Sequence, residues 1–130
     1  MKVHIVEDNE DLRGLYEVLF TNAGHEVRTS DNGLNALTEI IDFHPDTVLL
    51  DIMMPEMDGY TFLQTLTNNT SLTPVVIVCS NLTEQTDIDR ALSHGAHFYL
   101  RKSDYIGDEL VKAVQAAYDS VKNSHPQTAV

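Results

Sequence analysis

Short β-rich runs alternating with longer stretches of helical period predict an α/β fold, a single-domain, doubly wound (βα)5 sandwich with a parallel sheet in the order 2-1-3-4-5. The alternation itself calls for parallel strands joined by helical crossovers. Two candidate strands, Val48-Leu49-Leu50 and Val75-Val76-Ile77-Val78, are continuous apolar runs, as strands buried on both faces are. A third observation is positional: Glu7-Asp8, Asp51, Ser80 and Lys102 all fall at the carboxyl ends of candidate strands. That is where an open α/β sheet places its ligand crevice.

Taken in order, the first strand is predicted over 2–7 and is nearly all apolar from Val3 to Val6. Leu12, Leu15, Tyr16, Leu19, Phe20 and Ala23 then recur at helical spacing and predict a core-facing stripe. The second strand, 25–30, mixes polar and apolar residues and reads as an edge. Leu34, Leu37, Ile40 and Ile41 mark the second helix, 46–51 the third strand, and Tyr60, Leu63 and Leu66 the third helix. The fourth strand spans 74–80, followed by a helix through Ile88, Ala91 and Leu92; the mixed fifth strand, 97–102, takes the other edge. Leu110, Val114, Ala117 and Val121 predict the last helix. Gly24 and Gly95 suit the left-handed position that ends a helix. With right-handed crossovers the edge assignments give the stated order, and the crevice opens beyond strands 1 and 3, where the winding reverses. Residues 1–122 are expected to form the domain, and 123–130, rich in polar residues, a flexible C-terminal tail.

A chain of 130 residues suffices for one core that buries roughly two-thirds of the unfolded surface. Eight Lys and Arg against twenty Asp and Glu give a formal charge of -12, a field that repels polyanions and argues against direct nucleic-acid binding. The lone cysteine, Cys79, lies in an apolar run and cannot form an internal disulfide, so it reads as a buried structural thiol. The N-terminus turns acidic where a signal peptide stays apolar, and no run approaches the ~20 apolar residues of a membrane span, so the expected location is the cytoplasm. The sequons at Asn68, Asn69 and Asn81 read as chance without a secretory signal.

At the predicted strand ends, three carboxylates within about 4 Å of one another would repel by roughly 4 kcal/mol per pair at an effective dielectric near 20. A divalent cation would offset this. The ligands on offer are hard oxygens, with no Cys or His placed to help, which points to Mg2+, with Mn2+ able to substitute. A carboxylate beside such a metal can attack phosphorus and form an aspartyl phosphate, and Asp51 is the candidate nucleophile. Ser80 could hydrogen-bond one phosphoryl oxygen while Lys102 pairs with another.

With these residues in place, the sequence resembles the response-regulator receiver family of two-component signalling (CheY-like), whose fold is flavodoxin-like. The match covers residues 2 to about 122, and its most specific stretch is His44-Pro-Asp-Thr-Val-Leu-Leu-Asp-Ile-Met-Met-Pro-Glu-Met-Asp-Gly59. The resemblance implies that Asp51 is the phosphoacceptor, that Glu7, Asp8, Asp51 and the backbone carbonyl of Met53 hold Mg2+, and that Ser80, Asn81 and Lys102 line the phosphoryl site. It also implies that Ser80 and Tyr99 form the switch, with Pro55 and Gly59 shaping the loop after Asp51. Asn81 stands where the family usually has a small residue, and Ser103 where many members have a cis Pro. These departures bear on reaction rates and on how Lys102 is held.

By the same resemblance, the phosphodonor would be a histidine kinase or phosphotransfer protein docking through the first helix near Arg13, Gly14 and Leu15. The output would be a downstream protein target on the face made by the fourth helix, fifth strand and fifth helix, within residues 83 to 110, with the chain a monomer or a phosphorylation-dependent dimer. No direct nucleic-acid partner and no membrane partner is expected, and the chain is read as a switch rather than an enzyme. Beginning at Met1 favours a stand-alone regulator over a receiver cut from a longer protein. Three rival readings are weighed. A haloacid-dehalogenase-like phosphatase expects a second Asp where Met53 stands. A flavodoxin-like FMN binder expects a Ser, Thr or Gly-rich cradle where Glu7-Asp8-Asn9-Glu10-Asp11 stands. A non-phosphorylated interaction module has no need of the full set of acids, Ser80 and Lys102.

Overall fold

The computed structural model describes residues 1–53, 59–68, 72–81 and 84–123. Five strands, β1 (Lys2–Val6), β2 (Glu26–Ser30), β3 (Thr47–Leu50), β4 (Val75–Ser80) and β5 (Phe98–Arg101), alternate with five helices. These are α1 (Glu10–Asn22), α2 (Gly33–Phe43), α3 (Gly59–Thr67), α4 (Gln85–Ser93) and α5 (Asp108–Asn123), with a 3-10 turn at Lys102–Asp104. The strands pair in parallel in the order β2-β1-β3-β4-β5. This is the predicted doubly wound, flavodoxin-like sandwich.

Side chains alternate across a strand, so each strand feeds two cores. Val6, Val48, Leu50, Val76 and Val78 face α2, α3 and α4, packing with Ile40, Phe62, Leu63 and Ala91. Val3, Ile5, Leu49, Val75, Ile77 and Cys79 face the other way onto Tyr16 and Phe20 of α1 and Leu110 and Val114 of α5. β3 and β4 are buried along their whole length, whereas β2 alternates in exposure and β5 is only partly covered. The edge strands are thus the two whose sequences are mixed.

Helix starts follow from side-chain caps: Asn9 accepts a hydrogen bond from the Leu12 N–H and Asn32 from the Asn35 N–H. At the other ends, Gly24 and Gly95 take positive φ angles of 96° and 114°, the conformation expected for them. α5 runs through Asn123, and the expected tail beyond it lies outside the described residues, as do Pro55, Thr83 and most of the three sequons.

Two expectations are corrected. Each strand is shorter than predicted by a residue at one or both ends, so Glu7, Asp51 and Lys102 stand just past β1, β3 and β5. The ladder still reaches them: the Glu7 N–H donates to the Ser30 carbonyl at 3.0 Å and the Asp51 N–H to the Val6 carbonyl at 3.1 Å. The helical stripes were also drawn too wide. Leu15, Ala23, Leu34, Ile41 and Leu92 are exposed, because each residue advances about 100° around a helix and these sit one step beyond the covered arc. On α2 that arc is Gly33, Ala36, Ile40 and Phe43.

One buried polar residue was not anticipated. His4 of β1 is fully buried, its Nε2 lies 2.7 Å from the Ser30 hydroxyl, and its Nδ1 has no hydrogen-bond partner among the described residues. Burial, with the charge of Arg28 adding to it, lowers its pKa from 6.5 to about 4. The folded chain therefore holds the neutral ring where the unfolded chain would bind a proton. The resulting stability is complete above about pH 6.5 and is lost as pH falls toward 4, by about 3 kcal/mol in all. Urea unfolding of the wild type and His4→Leu across this interval should show a shallower pH slope in the variant.

Candidate functional site

The turns after β1 and β3 and the chain after β5 deliver Glu7, Asp8, Asp51 and Lys102 to one place. The Lys102 ammonium donates to Glu7 Oε1 at 2.7 Å and to Asp51 Oδ2 at 2.8 Å, so it spans the two buried carboxylates. Each carboxylate has a second donor: the Asn9 N–H reaches Glu7 Oε2 at 3.2 Å and the Met53 N–H reaches Asp51 Oδ1 at 3.1 Å. Asp8 is exposed, and one oxygen from each of Glu7, Asp8 and Asp51 lies within 4.8 Å of the others. Two walls of the pocket are therefore buried and one opens to solvent.

The electrostatics explain why these groups coexist. Burial raises the pKa of Glu7, and the hydrogen bond and charge of Lys102 only partly oppose that rise. For Lys102, burial acts to lower the pKa, but its bonds and charge interactions with Asp51 and Glu7 prevail and hold it above the ordinary lysine value. Beneath this layer, burial pushes the Cys79 thiol up to about 12, so it is an inert packing group, as read from the sequence.

Arg13 is a site residue that sequence reasoning placed only at a docking surface. Its Nη1 donates to the Glu7 carbonyl at 3.0 Å and, at 3.4 Å, to that of Asp8, which fixes the turn carrying the acid pair. An arginine on the first turn of the helix that follows two acids was the available signal.

Gly59 closes the loop after Asp51. Its N–H donates to the Ile52 carbonyl at 2.9 Å, and a Cβ there would lie 2.4 Å from Ile52 Cα. A side chain is excluded by backbone, a tighter constraint than the sequence reading assigned to this residue.

Ser80, at the end of β4, is fully buried. Burial raises the Tyr99 phenol pKa, and the nearby Ser80 hydroxyl opposes that rise. Asn81 and Met53 are exposed beside the acids, Met53 by 56%. Asp51, Glu7, Asp8, Met53, Ser80, Asn81 and Lys102 thus occupy the carboxyl edge of the β1-β3-β4-β5 segment of the sheet, while Tyr99 lies within β5, paired with Val78.

The fold and the site together define an α/β domain whose acid pocket, spanned by a lysine, lies at the carboxyl edge of a parallel sheet. The family model for the response regulator receiver domain matches residues 3–115, and the chain belongs to that family. Relatives include the regulatory protein AtoC of Escherichia coli K12, 36% identical over 116 residues that cover 89% of this chain and 25% of AtoC. Protein PilG of Pseudomonas aeruginosa is 33% identical over 120 residues, covering 89% of this chain and 86% of PilG. The chain therefore spans a quarter of one of these relatives and most of the other. Among solved structures, the receiver domain of Francisella response regulator 1452 aligns with a TM-score of 0.82 at 27% identity, over 92% of this chain and 98% of that one. Vibrio cholerae CheY4 shares the fold, with a TM-score of 0.83 at 24% identity over 89% and 97% of the two chains. Among the described residues no helix is long and apolar enough to cross a membrane.

Replacing Lys102 by Met should leave Glu7 and Asp51 facing each other without their shared cation. The expected loss is about 3 kcal/mol near pH 7. Because protonation of Glu7 relieves the repulsion, the loss should shrink as pH falls, which chemical denaturation at several pH values can measure.

Proposed function

We propose that Asp51 is the phosphoacceptor of a metal-dependent switch, and the observation that carries this reading is the Lys102 ammonium held between Glu7 and Asp51 with Asp8 alongside. The donor set fits a hard cation: clustered carboxylate oxygens of Glu7, Asp8 and Asp51, with no His or Cys in the cluster among the described residues. Glu7, Asp8, Asp51 and Met53 would hold Mg2+, or Mn2+ in its place. When bound, the ion supplies positive charge opposite the phosphoryl oxygens.

An Asp51 oxygen attacks the phosphorus of a phosphohistidine. The P–N bond breaks, its electron pair goes to the imidazole nitrogen, and that nitrogen takes a proton from solvent. Asp51 needs no general base, because an ionised carboxylate is already a nucleophile. Lys102 stays within reach of the new group and pairs with one of its oxygens, while Ser80 and Asn81 stand where a hydroxyl and an amide can meet the others. The chain accepts and loses the phosphoryl group and turns over no separate substrate.

Phosphorylation brings about -1.5 to -2 charges and three strong acceptors to Asp51. Ser80 is drawn toward the phosphoryl group and away from Tyr99, and Tyr99 turns inward. The α4-β5-α5 face changes shape and is read by a downstream protein. The family's donors are histidine kinases; for this chain a histidine kinase or phosphotransfer protein would dock on α1 around Arg13, Gly14 and Leu15, two of which are exposed. The net charge of -12 supports a protein partner over nucleic acid. We place the domain at residues 1–122, in the cytoplasm, as a monomer or a dimer formed on phosphorylation.

Incubation with a small acyl phosphate and Mg2+ should add one phosphoryl group by intact mass, lost in Asp51→Asn and suppressed by a chelator. An unmodified mass under saturating donor would sink the mechanism.

A further inference from the structure

One side chain of α3 is held by two residues of α4 and by the residue that caps it. Tyr60, buried and second in its helix, donates its hydroxyl to the Asp87 carbonyl at 3.4 Å. The Arg90 guanidinium carbon lies 3.9 Å from the centre of its ring, and the His94 ring lies 5.8 Å away at a tilt of 55°. Asp87 and Arg90 are three residues apart on α4, and His94, four further on, caps the helix on the same side. Arg90 is itself exposed, yet it gives its charge to the face of a buried ring.

This contact sits between the two parts of the switch. Tyr60 follows Gly59, whose backbone is pressed against Ile52, the residue after Asp51. On the other side, Tyr99 packs against the same cluster that contains Tyr60 and Ala91 of α4. A close-packed interior has no spare room, so an inward turn of Tyr99 needs volume that Tyr60 and α4 now fill.

We propose that Tyr60 is a positioning residue of the switch: gripped by Asp87, Arg90 and His94, it latches α4 in the resting place and opposes the rearrangement that phosphorylation drives. The proposal rests on the reading of Asp51 and Tyr99 given above. A latch formed in the resting form lowers the population of the competent form, and any ligand that selects the competent form is weakened by the same factor.

The test is a titration of the full chain with beryllofluoride and Mg2+, followed by amide NMR. Arg90→Ala, a surface change that leaves the core intact, should bind beryllofluoride about 2- to 10-fold more tightly than the wild type. Its α4 amides should already be displaced toward their wild-type adduct positions before ligand is added. Tyr60→Leu should behave alike, while Tyr60→Phe, which keeps the ring, should stay near the wild type. A residue that merely supported the fold would not tighten binding when removed. Equal or weaker binding in Arg90→Ala and Tyr60→Leu, with normal responses at Ile52 and Met53, overturns the latch alone. Silence at Ile52 and Met53 in the wild type overturns the phosphoacceptor reading and the latch with it.

Discussion

The geometry at the head of the sheet depends on one cation reaching two buried acids. Lys102 arrives from beyond β5 and contacts Glu7 and Asp51, which arrive from β1 and β3. Bringing those strand ends together without it would leave two desolvated carboxylates in mutual repulsion. With it, the strand order that places β1 beside β3 and β5 across β4 becomes compatible with an acidic mouth. The same arrangement fits the proposed phosphorylation: a lysine that already pairs with Asp51 would remain in place to pair with a phosphoryl oxygen once the acid becomes an acyl phosphate.

The surroundings of this trio are built to keep it still. Arg13 ties down the turn with Glu7 and Asp8, Asn9 both caps α1 and donates to Glu7, and Gly59 lets the loop after Asp51 close on backbone alone. The proposed switch would need mobility elsewhere, at Ser80, Tyr99 and α4. Twelve excess negative charges give no purchase for a polyanion.

Much of this was legible in the residues. Continuous apolar runs marked β3 and β4 as central, and mixed ones marked β2 and β5 as edges, because burial on two faces leaves no room for alternation. Glu7, Asp8, Asp51, Ser80 and Lys102 could be placed at one crevice because strand ends converge in a parallel sheet. What was not legible depends on three-dimensional neighbours. The burial of His4 against Ser30 needs the β1-β2 register, the reach of Arg13 back to the acid turn needs the helix direction, and the grip of α4 on Tyr60 needs the packing of two helices separated by a strand. The stripes of α1 and α2 were too wide because apolar composition does not reveal how much of a helix a sheet can cover. Leu15 and Ile41 are exposed for that reason.

The central claim is that Glu7, Asp8 and Asp51 form a cation site beside the Lys102 ammonium. The most direct measurement is a Mg2+ titration at constant ionic strength, observed by NMR at the amides of Asp8, Asn9, Ile52 and Met53 and at the Lys102 side chain. The account predicts saturable shifts at all five, with a single apparent affinity that collapses in Asp51→Asn. Linear, non-saturating drift spread over the acidic surface, with Lys102 unmoved, would contradict it.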